Sequence, residues 1–244
     1  MKLKLLTFNI HKGLNWKNNK LTVNSLKLAL KKLNPDIVFL QEIVGENKKL
    51  EKKMSDWVPN QIEYLTEGIW QDSVYSHHAL FNNKNHGNAI LSKYPIKSFE
   101  VENITLNPLE KRAILFTEIE LPHVNIHCYC THLNLLHRDR VRQYRFISEY
   151  IRKKTPKETP IAFAGDFNDW NQKASTNLFD IPDFHDAYKV IHDHYAKTFP
   201  SFYPFFKLDR IYTKGINIKE AKVLSTRPWN GLSDHLPILI HADL

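Results

Sequence analysis

The feature that most constrains this chain is a pattern that recurs along it: a short, almost continuously apolar run that stops at an acid, an amide or a histidine. Ile37–Gln41 leads into Glu42 and Ile161–Ala164 through Gly165 into Asp166, with Asn168 two residues on, while Val124–Thr131, which alternates Val124, Ile126, Cys128 and Cys130 on one face, leads into His132. Short apolar runs bounded by polar clusters suit strands covered on both faces. The chain therefore reads as mixed α/β, with polar groups gathered at strand ends.

The remaining elements follow from periodicity. Residues 3–10 read as the first strand. Leu21–Leu33 reads as a helix, with Leu26, Leu30 and Leu33 at i, i+4 and i+7, and Asn34-Pro35 ends it because the residue before proline is pushed out of the α region. The stretch to about residue 75 reads as helical or irregular, and 77–86 as a loop. Ala89–Leu91, Ile114–Leu121, Leu208–Thr213 and Leu236–His241 read as further strands. Arg138–Lys154 reads as an amphipathic helix with Val141, Tyr144, Ser148 and Ile151 on its apolar stripe; its Arg138, Arg142, Arg145, Arg152 and Lys153 read as a solvated face before they read as a phosphate-binding one. Cys128 and Cys130 share one face of their strand with Val124 and Ile126. That placement is poor for a disulfide and too sparse for zinc, so both read as core thiols in a reducing compartment.

The 244 residues show no repeat, linker or composition break, so the expectation is one domain over 1–244. The formal charge of +8 already counts the acids at the strand ends, so the rest of the surface is more basic still. Such a field attracts polyanions: nucleic acid, phosphoinositides or an anionic membrane surface. The plainer source of the charge is a Lys-rich proteome. The N-terminal apolar run is too short for a secretory leader, and no stretch of 18 apolar residues offers a transmembrane segment. The expectation is a soluble, cytoplasmic monomer, with contact at a membrane surface left open; export without a cleaved leader leaves no trace of this kind.

Six strand ends carry the chemistry: Asn9; Glu42; His132; Asp166 with Asn168; Asp209; and Asp234 with His235. Ligands bind at strand ends in α/β folds, so convergence of these ends builds one polar pocket. Glu42 and Asp234 are hard oxygen donors which, with the Asn9 amide, suit Mg²⁺, or Mn²⁺ in its place. Zinc is disfavoured, because the histidines do not fall at zinc-ligand spacings. A phosphodiester needs a Lewis acid, a positioned base and donors around the phosphate, and this set supplies each.

The strings TFNIHKG, LQE, HGNAILSKYPI, THL, GDFND, LDRIY and SDHLPI, in this order over residues 7–238, resemble the successive motifs of the endonuclease/exonuclease/phosphatase superfamily. The resemblance implies a four-layer α/β sandwich: two mixed sheets face to face, helices outside, and an active site at one edge. It implies Glu42 as the principal metal ligand, with Asn9 and Asp234 beside it. Asp166 would be the general base and Asn168 would position the water or the phosphate. His235 would hydrogen-bond a phosphate oxygen as a protonated imidazole with Asp234 fixing its ring, and His132 would do the same from the other side. Asp209 would orient His132 or assist the leaving group. The chain departs from the abasic-site endonucleases at His11, where they have an aspartate, and this puts a two-metal mechanism in doubt.

Outside the ordered set, His11, His86 and Asn88 read either as structural or as pocket lining, and Arg112 either grips the phosphate bidentately or pairs with Glu110 or Glu118. Two aromatic stretches are candidate rims: Phe199, Phe202, Tyr203, Phe205 and Phe206, and the region 57–86 with Trp57, Tyr64, Trp70, Tyr75, His77 and His78. Exposed rings there would stack on bases or enter a lipid interface; buried ones are ordinary core. Three functions follow: a metal-dependent nuclease acting on DNA or RNA, a lipid or inositol-phosphate phosphoesterase, and a catalytically silent binding module.

Overall fold

A computed structural model describes residues 1–77, 84–172 and 181–244. Among these, the strands are β1 (Lys2–Asn9), β2 (Ile37–Asn47), β3 (Asp72–His77), β4 (Lys84–Ser92), β5 (Ile96–Asn103), β6 (Ala113–Glu120), β7 (Asn125–His132), β8 (Ile161–Asp166), β9 (His185–Asp186), β10 (Asp209–Lys214), β11 (Asn217–Val223) and β12 (Ile238–Asp243). The α-helices are α1 (Val23–Leu33), α2 (Lys48–Lys53), α3 (Gln61–Thr66), α4 (His137–Lys154) and α5 (Ala187–His192). The strands form two six-stranded sheets, ordered β11-β12-β1-β2-β4-β3 and β5-β6-β7-β8-β10-β9. Each sheet has one parallel pair, β1 with β2 and β7 with β8, among antiparallel neighbours. The expected mixed sheets are therefore present, and the parallel pairs are the strands that carry Asn9, Glu42, His132 and Asp166.

Burial explains the layers. Leu3, Leu5, Phe39 and Ile90 of the first sheet meet Ile126, Cys128, Cys130, Ala162 and Ile211 of the second in one inter-sheet core. On the outer face of the first sheet, Leu6, Phe8, Val38 and Leu40 are covered by Leu26 and Leu30 of α1 and Leu65 of α3. On the outer face of the second, Phe116, Tyr129 and Phe163 are covered by Tyr144, Ile147 and Ile151 of α4. Each fully buried side chain of this size contributes ~2 kcal/mol, so the four layers hold together largely by apolar burial. Cys128 and Cys130 are free and buried, as core thiols should be.

Several boundaries differ from the sequence reading. Leu21 pairs with Leu14 in an isolated bridge, so α1 begins after it, at Val23. Its end is capped by Asn34 in the left-handed region, with the Asn34 N–H on Leu30 O. Glu42 is not at a strand end. β2 continues to Asn47, and between Leu40 and Ile43 the pairing with β4 slips by one residue, with Glu42 at φ 55°. This bulge re-aims one side chain without ending the strand. Of the expected 77–86 loop, His77 ends β3 and Lys84 begins β4, and residues 78–83 lie outside the described residues. β5 and β11 were not legible, because both are edge strands carrying charged residues: β5 is mostly exposed, and a bulge between Ile218 and Glu220 breaks the pattern of β11.

The buried stripe of α4 is also rotated from its expected position. Val141 is only half-buried, while Arg140, Gln143 and Ile147 join Tyr144, Ser148 and Ile151. The polar members have a purpose: Gln143 exchanges hydrogen bonds with Asn134, and Arg140 donates to Asn134 O, so α4 fixes the segment leaving His132. Arg138, Arg142, Arg145, Arg152 and Lys153 are exposed.

Between β7 and β8 the two backbones come unusually close. A Cβ on Gly165 would stand 1.9 Å from Thr131 O, and the residue has φ 154°. Gly165→Ala should therefore force apart the strands that deliver His132 and Asp166, lowering stability by ~3 kcal/mol in a denaturant titration. A loss below about 0.5 kcal/mol would show that this contact relaxes freely.

Candidate active site

Register brings the polar strand ends together. His132 pairs with Asp166 across β7 and β8, and Asp166 pairs with Asp209 across β8 and β10, so three side chains stand in one row over three neighbouring strands. From the other sheet, Asn9 ends β1 beside Gln41, and the bulge presents Glu42 next to it. The segment before β12 brings Asp234 and His235. Ser233 anchors it by donating to Asn9 O at 2.7 Å and accepting the His235 N–H at 3.2 Å.

Asp166 is the hub. Its Oδ2 accepts from Asn9 Nδ2 at 3.1 Å and lies 3.5 Å from His132 Nε2 and 3.6 Å from His235 Nε2, while Oδ1 accepts the Asn168 N–H at 2.9 Å. The carboxylate is 2 % exposed, so these partners carry nearly all of its solvation. Asn168, at φ 47°, donates its amide to Leu133 O at 2.8 Å, tying the loop after β8 to the end of β7. Asn9 also donates to Glu42 Oε1 at 3.4 Å, and its own oxygen accepts the His11 N–H at 3.0 Å. So placed, Asn9 spaces the two acids and turns donors, not its oxygen, toward them.

The partners of two acids differ from those the resemblance implied. Asp209 Oδ2 holds His235 Nδ1 at 2.9 Å and accepts from Thr198 Oγ1 at 2.5 Å, so it orients His235 and not His132. The reason is strand order: β8 stands between β7 and β10. Asp234 turns to His11, whose Nδ1 is 3.3 Å away, and to Ser233, and leaves the His235 ring to Asp209 and to Phe199, 4.9 Å distant.

Electrostatics separate the two histidines. Burial alone would lower the His235 pKa, but Asp209 and Asp166 override it and raise it to about 10, so His235 is an imidazolium. His132 goes the other way. Burial, reinforced by the Arg112 charge, lowers it to about 3 against the pull of Asp166 and Glu42, so it is a neutral ring rather than a second cation. At Glu42, burial would raise the pKa, but Lys12 outweighs it, with Nζ 2.8 Å from Oε2, and holds the carboxylate ionised.

The remaining candidates divide. Arg112, His86, Asn88, Glu42 and His132 line one small cleft. Arg112 stands 3.9 Å from Glu110 with its Nε buried and without a hydrogen-bond partner among the described residues, while Glu118 binds Ser98 and Asn125 instead. The Asn88 amide donates to Ala113 O and Cys130 O across the sheet interface, a structural tie beneath the site. Of the aromatics, Phe202, Tyr203 and Phe205 are exposed; Trp16 meets Phe202 at 5.0 Å and Tyr203 meets Phe205 at 6.4 Å. The rim expected at 57–86 is corrected: Trp57 and Trp70 are core, and Tyr64 and Tyr75 pack on it, because Tyr64 lies on α3, which covers the outer face of the first sheet, and Tyr75 lies on β3 within that sheet. The side chains of His77 and His78 lie outside the described residues. The sequence reading missed Lys12 and Thr198; Lys12 lies inside the TFNIHKG string, which was its only signal.

Two donor sets could hold a metal. Asp166, Asp209 and His235 place ligand atoms within 4.8 Å of one another. Both nitrogens of His235, however, already face carboxylates, and a ligating nitrogen needs a free lone pair. Glu42 offers oxygens alone, and a cationic ammonium already rests against it, which fits a hard cation better.

The comparisons agree with this architecture. Residues 6–235 match the model of the Endonuclease/Exonuclease/phosphatase family. The chain is 35 % identical over 238 residues to the uncharacterized protein YbhP of Escherichia coli K12, covering 96 % of this chain and 94 % of that protein. In structure it is similar to a family protein from Leptotrichia buccalis, with TM-score 0.77, 22 % identity and coverage of 99 % of this chain and 100 % of the other. It is also similar to D. rerio TDP2, with TM-score 0.75, 17 % identity and coverage of 100 % and 99 %. At those identities the two structures speak for the fold. The chain belongs to the endonuclease/exonuclease/phosphatase family, whose members are generally divalent-metal-dependent phosphoesterases.

The His235 pair has a measurable pH signature. Because its folded pKa is raised, its stabilisation is complete below about 6.5 and is lost as pH rises toward about 10. In the presence of chelator, NMR should find His235 still protonated at about pH 8, and Asp209→Asn should bring its titration back toward the ordinary histidine range. Titration of wild-type His235 near 6.5 would show that the pair is absent.

Proposed function

We propose that this protein hydrolyses phosphodiester bonds with Mg²⁺, or Mn²⁺ in its place, and that its substrate is DNA or RNA. The observation that carries the chemistry is the position of Asp166, an ionisable base set between a neutral and a cationic imidazole. Those two contacts, at 3.5 and 3.6 Å, exceed hydrogen-bond length, so neither imidazole is committed to Asp166. Asp166 takes the proton of the attacking water, and Asn168 keeps its carboxylate turned toward the site. His235, held charged by Asp209, donates to the phosphate oxygens as negative charge builds on them. His132 donates from the other side as a neutral ring, with Arg112 behind it. Glu42, with Asp234 nearby, would hold the metal, which when bound would supply Lewis-acid polarisation of the phosphate.

The polynucleotide reading rests on the net charge of +8 and on the exposed rings of Trp16, Phe202, Tyr203 and Phe205, since aromatic faces stack on bases of any sequence. D. rerio TDP2, of the same fold, is known with a single-strand DNA product bound. The same exposed rings favour a lipid or inositol-phosphate substrate as the second reading, because they could also enter a membrane interface. The intact constellation argues against a silent binding module.

Hydrolysis of single-stranded DNA, duplex DNA, RNA, sphingomyelin and phosphoinositides, each with Mg²⁺ and with chelator, tests the reading. Cleavage of a polynucleotide that falls steeply with salt and vanishes in chelator is expected; full activity in chelator would refute the metal role. On the best substrate, Asp166→Asn should lower kcat by ~10²- to 10⁴-fold with little change in affinity. Near wild-type kcat, with chemistry rate-limiting, would refute the base assignment.

A further inference from the structure

Lys12 has no part in the chemistry above, yet its ammonium lies 2.8 Å from Glu42 Oε2. The backbone that puts it there is unusual. His11, Lys12 and Gly13 have φ of 47°, 60° and 73°, three successive left-handed residues, and glycine alone adopts that region without steric cost. The turn is clamped. Gln61, buried at the start of α3, donates through Nε2 to Lys12 O at 2.9 Å and accepts the Val44 N–H at 3.0 Å, so one amide ties the turn to the strand that carries Glu42. The packing leaves no slack: a Cβ on Gly13 would stand 2.3 Å from Val23 Cγ2 and 2.8 Å from Gln61 Nε2. Strain held this firmly beside a site is a reason to ask what the strained residues do there.

They cover the metal donors. The two successive residues of the turn each face one of the oxygen ligands assigned above, Lys12 against Glu42 and His11 against Asp234 at 3.3 Å. A partly exposed ion pair contributes little to stability, so fold maintenance is a weak reason to strain a backbone for it. Lysine also has a flexible stem and a strongly hydrated head, so it can leave a carboxylate for water where a planar, bidentate arginine would resist. Its side chain is 37 % exposed, with a path outward.

We propose that Lys12 is a displaceable counter-ion of the metal site: its ammonium neutralises Glu42 until a divalent cation takes that carboxylate, and its charge limits the pocket to one cation held with modest affinity. This rests on the reading of Glu42 as the metal ligand. It also accounts for a pocket that has His11 where an aspartate would serve a second ion, since the turn supplies positive charge where a two-metal site needs negative.

Calorimetric titration of chelator-stripped full-length protein with Mg²⁺ and with Mn²⁺ tests the assignment without any hydrolysis assay. Lys12→Met should bind either ion about tenfold or more tightly than wild type, because the ion no longer competes with a charge at contact distance. Lys12→Arg should bind no more tightly than wild type, and Glu42→Gln should abolish binding. If Lys12→Met does not fold, Lys12→Gln is read in the same way. Equal or weaker binding after loss of the charge would overturn this proposal alone, while absence of binding by every variant would overturn the metal reading and this proposal with it.

Discussion

A carboxylate buried as deeply as Asp166 must be given hydrogen-bond donors and positive charge by its surroundings, and the active edge of this fold is built to supply them. An unpaired ion in such a place costs several kcal/mol. Asn9 and the Asn168 backbone give hydrogen bonds, and His235 gives charge. The cost then moves outward: a buried imidazolium needs its own anion, which Asp209 provides, and Asp209 in turn takes the Thr198 hydroxyl. The chain of dependence runs from β8 through the β12 approach to β10. It joins the two sheets through side chains whose Cα positions the strand registers fix.

The site is also where the backbone departs from easy conformations. Among the described non-glycine residues with positive φ, His11, Lys12, Glu42 and Asn168 all stand at this edge. Each departure aims a side chain that regular geometry would send elsewhere. The bulge turns Glu42 toward the cleft while β2 continues beneath it, and the left-handed Asn168 folds its amide N–H back onto Asp166. Such conformations persist only where packing and hydrogen bonds over-determine them, as the Gln61 clamp does for the turn after β1.

The legible part of this molecule was the part written in apolar periodicity and in strand-end chemistry. β7 and β8 are buried on both faces and carry His132 and Asp166 at their ends, so a local pattern located both the strand and the candidate residue at its end. Glu42 was found, but as a strand end, because a bulge leaves no mark in a run of apolar residues. Edge strand β5 carries charge in place of alternation, and in β11 a bulge between Ile218 and Glu220 breaks the alternation. Partners were harder still. That Asp209 serves His235 and Asp234 faces His11 depends on the order of strands in a sheet, a property of no short stretch of sequence. Lys12 was invisible for the same reason, since a lysine next to a motif histidine looks like any solvated lysine until the turn that aims it is seen.

The proposed chemistry divides the labour, with the cation at Glu42 and the proton transfer at Asp166. The most direct measurement is an anomalous-difference map from crystals soaked in Mn²⁺. One peak is expected, at the Glu42 carboxylate on its Asp234 side, with the Asp166–His235–Asp209 contacts intact. A peak lying among Asp166, Asp209 and His235, or a pair of peaks bridging that cluster and Glu42, would contradict it.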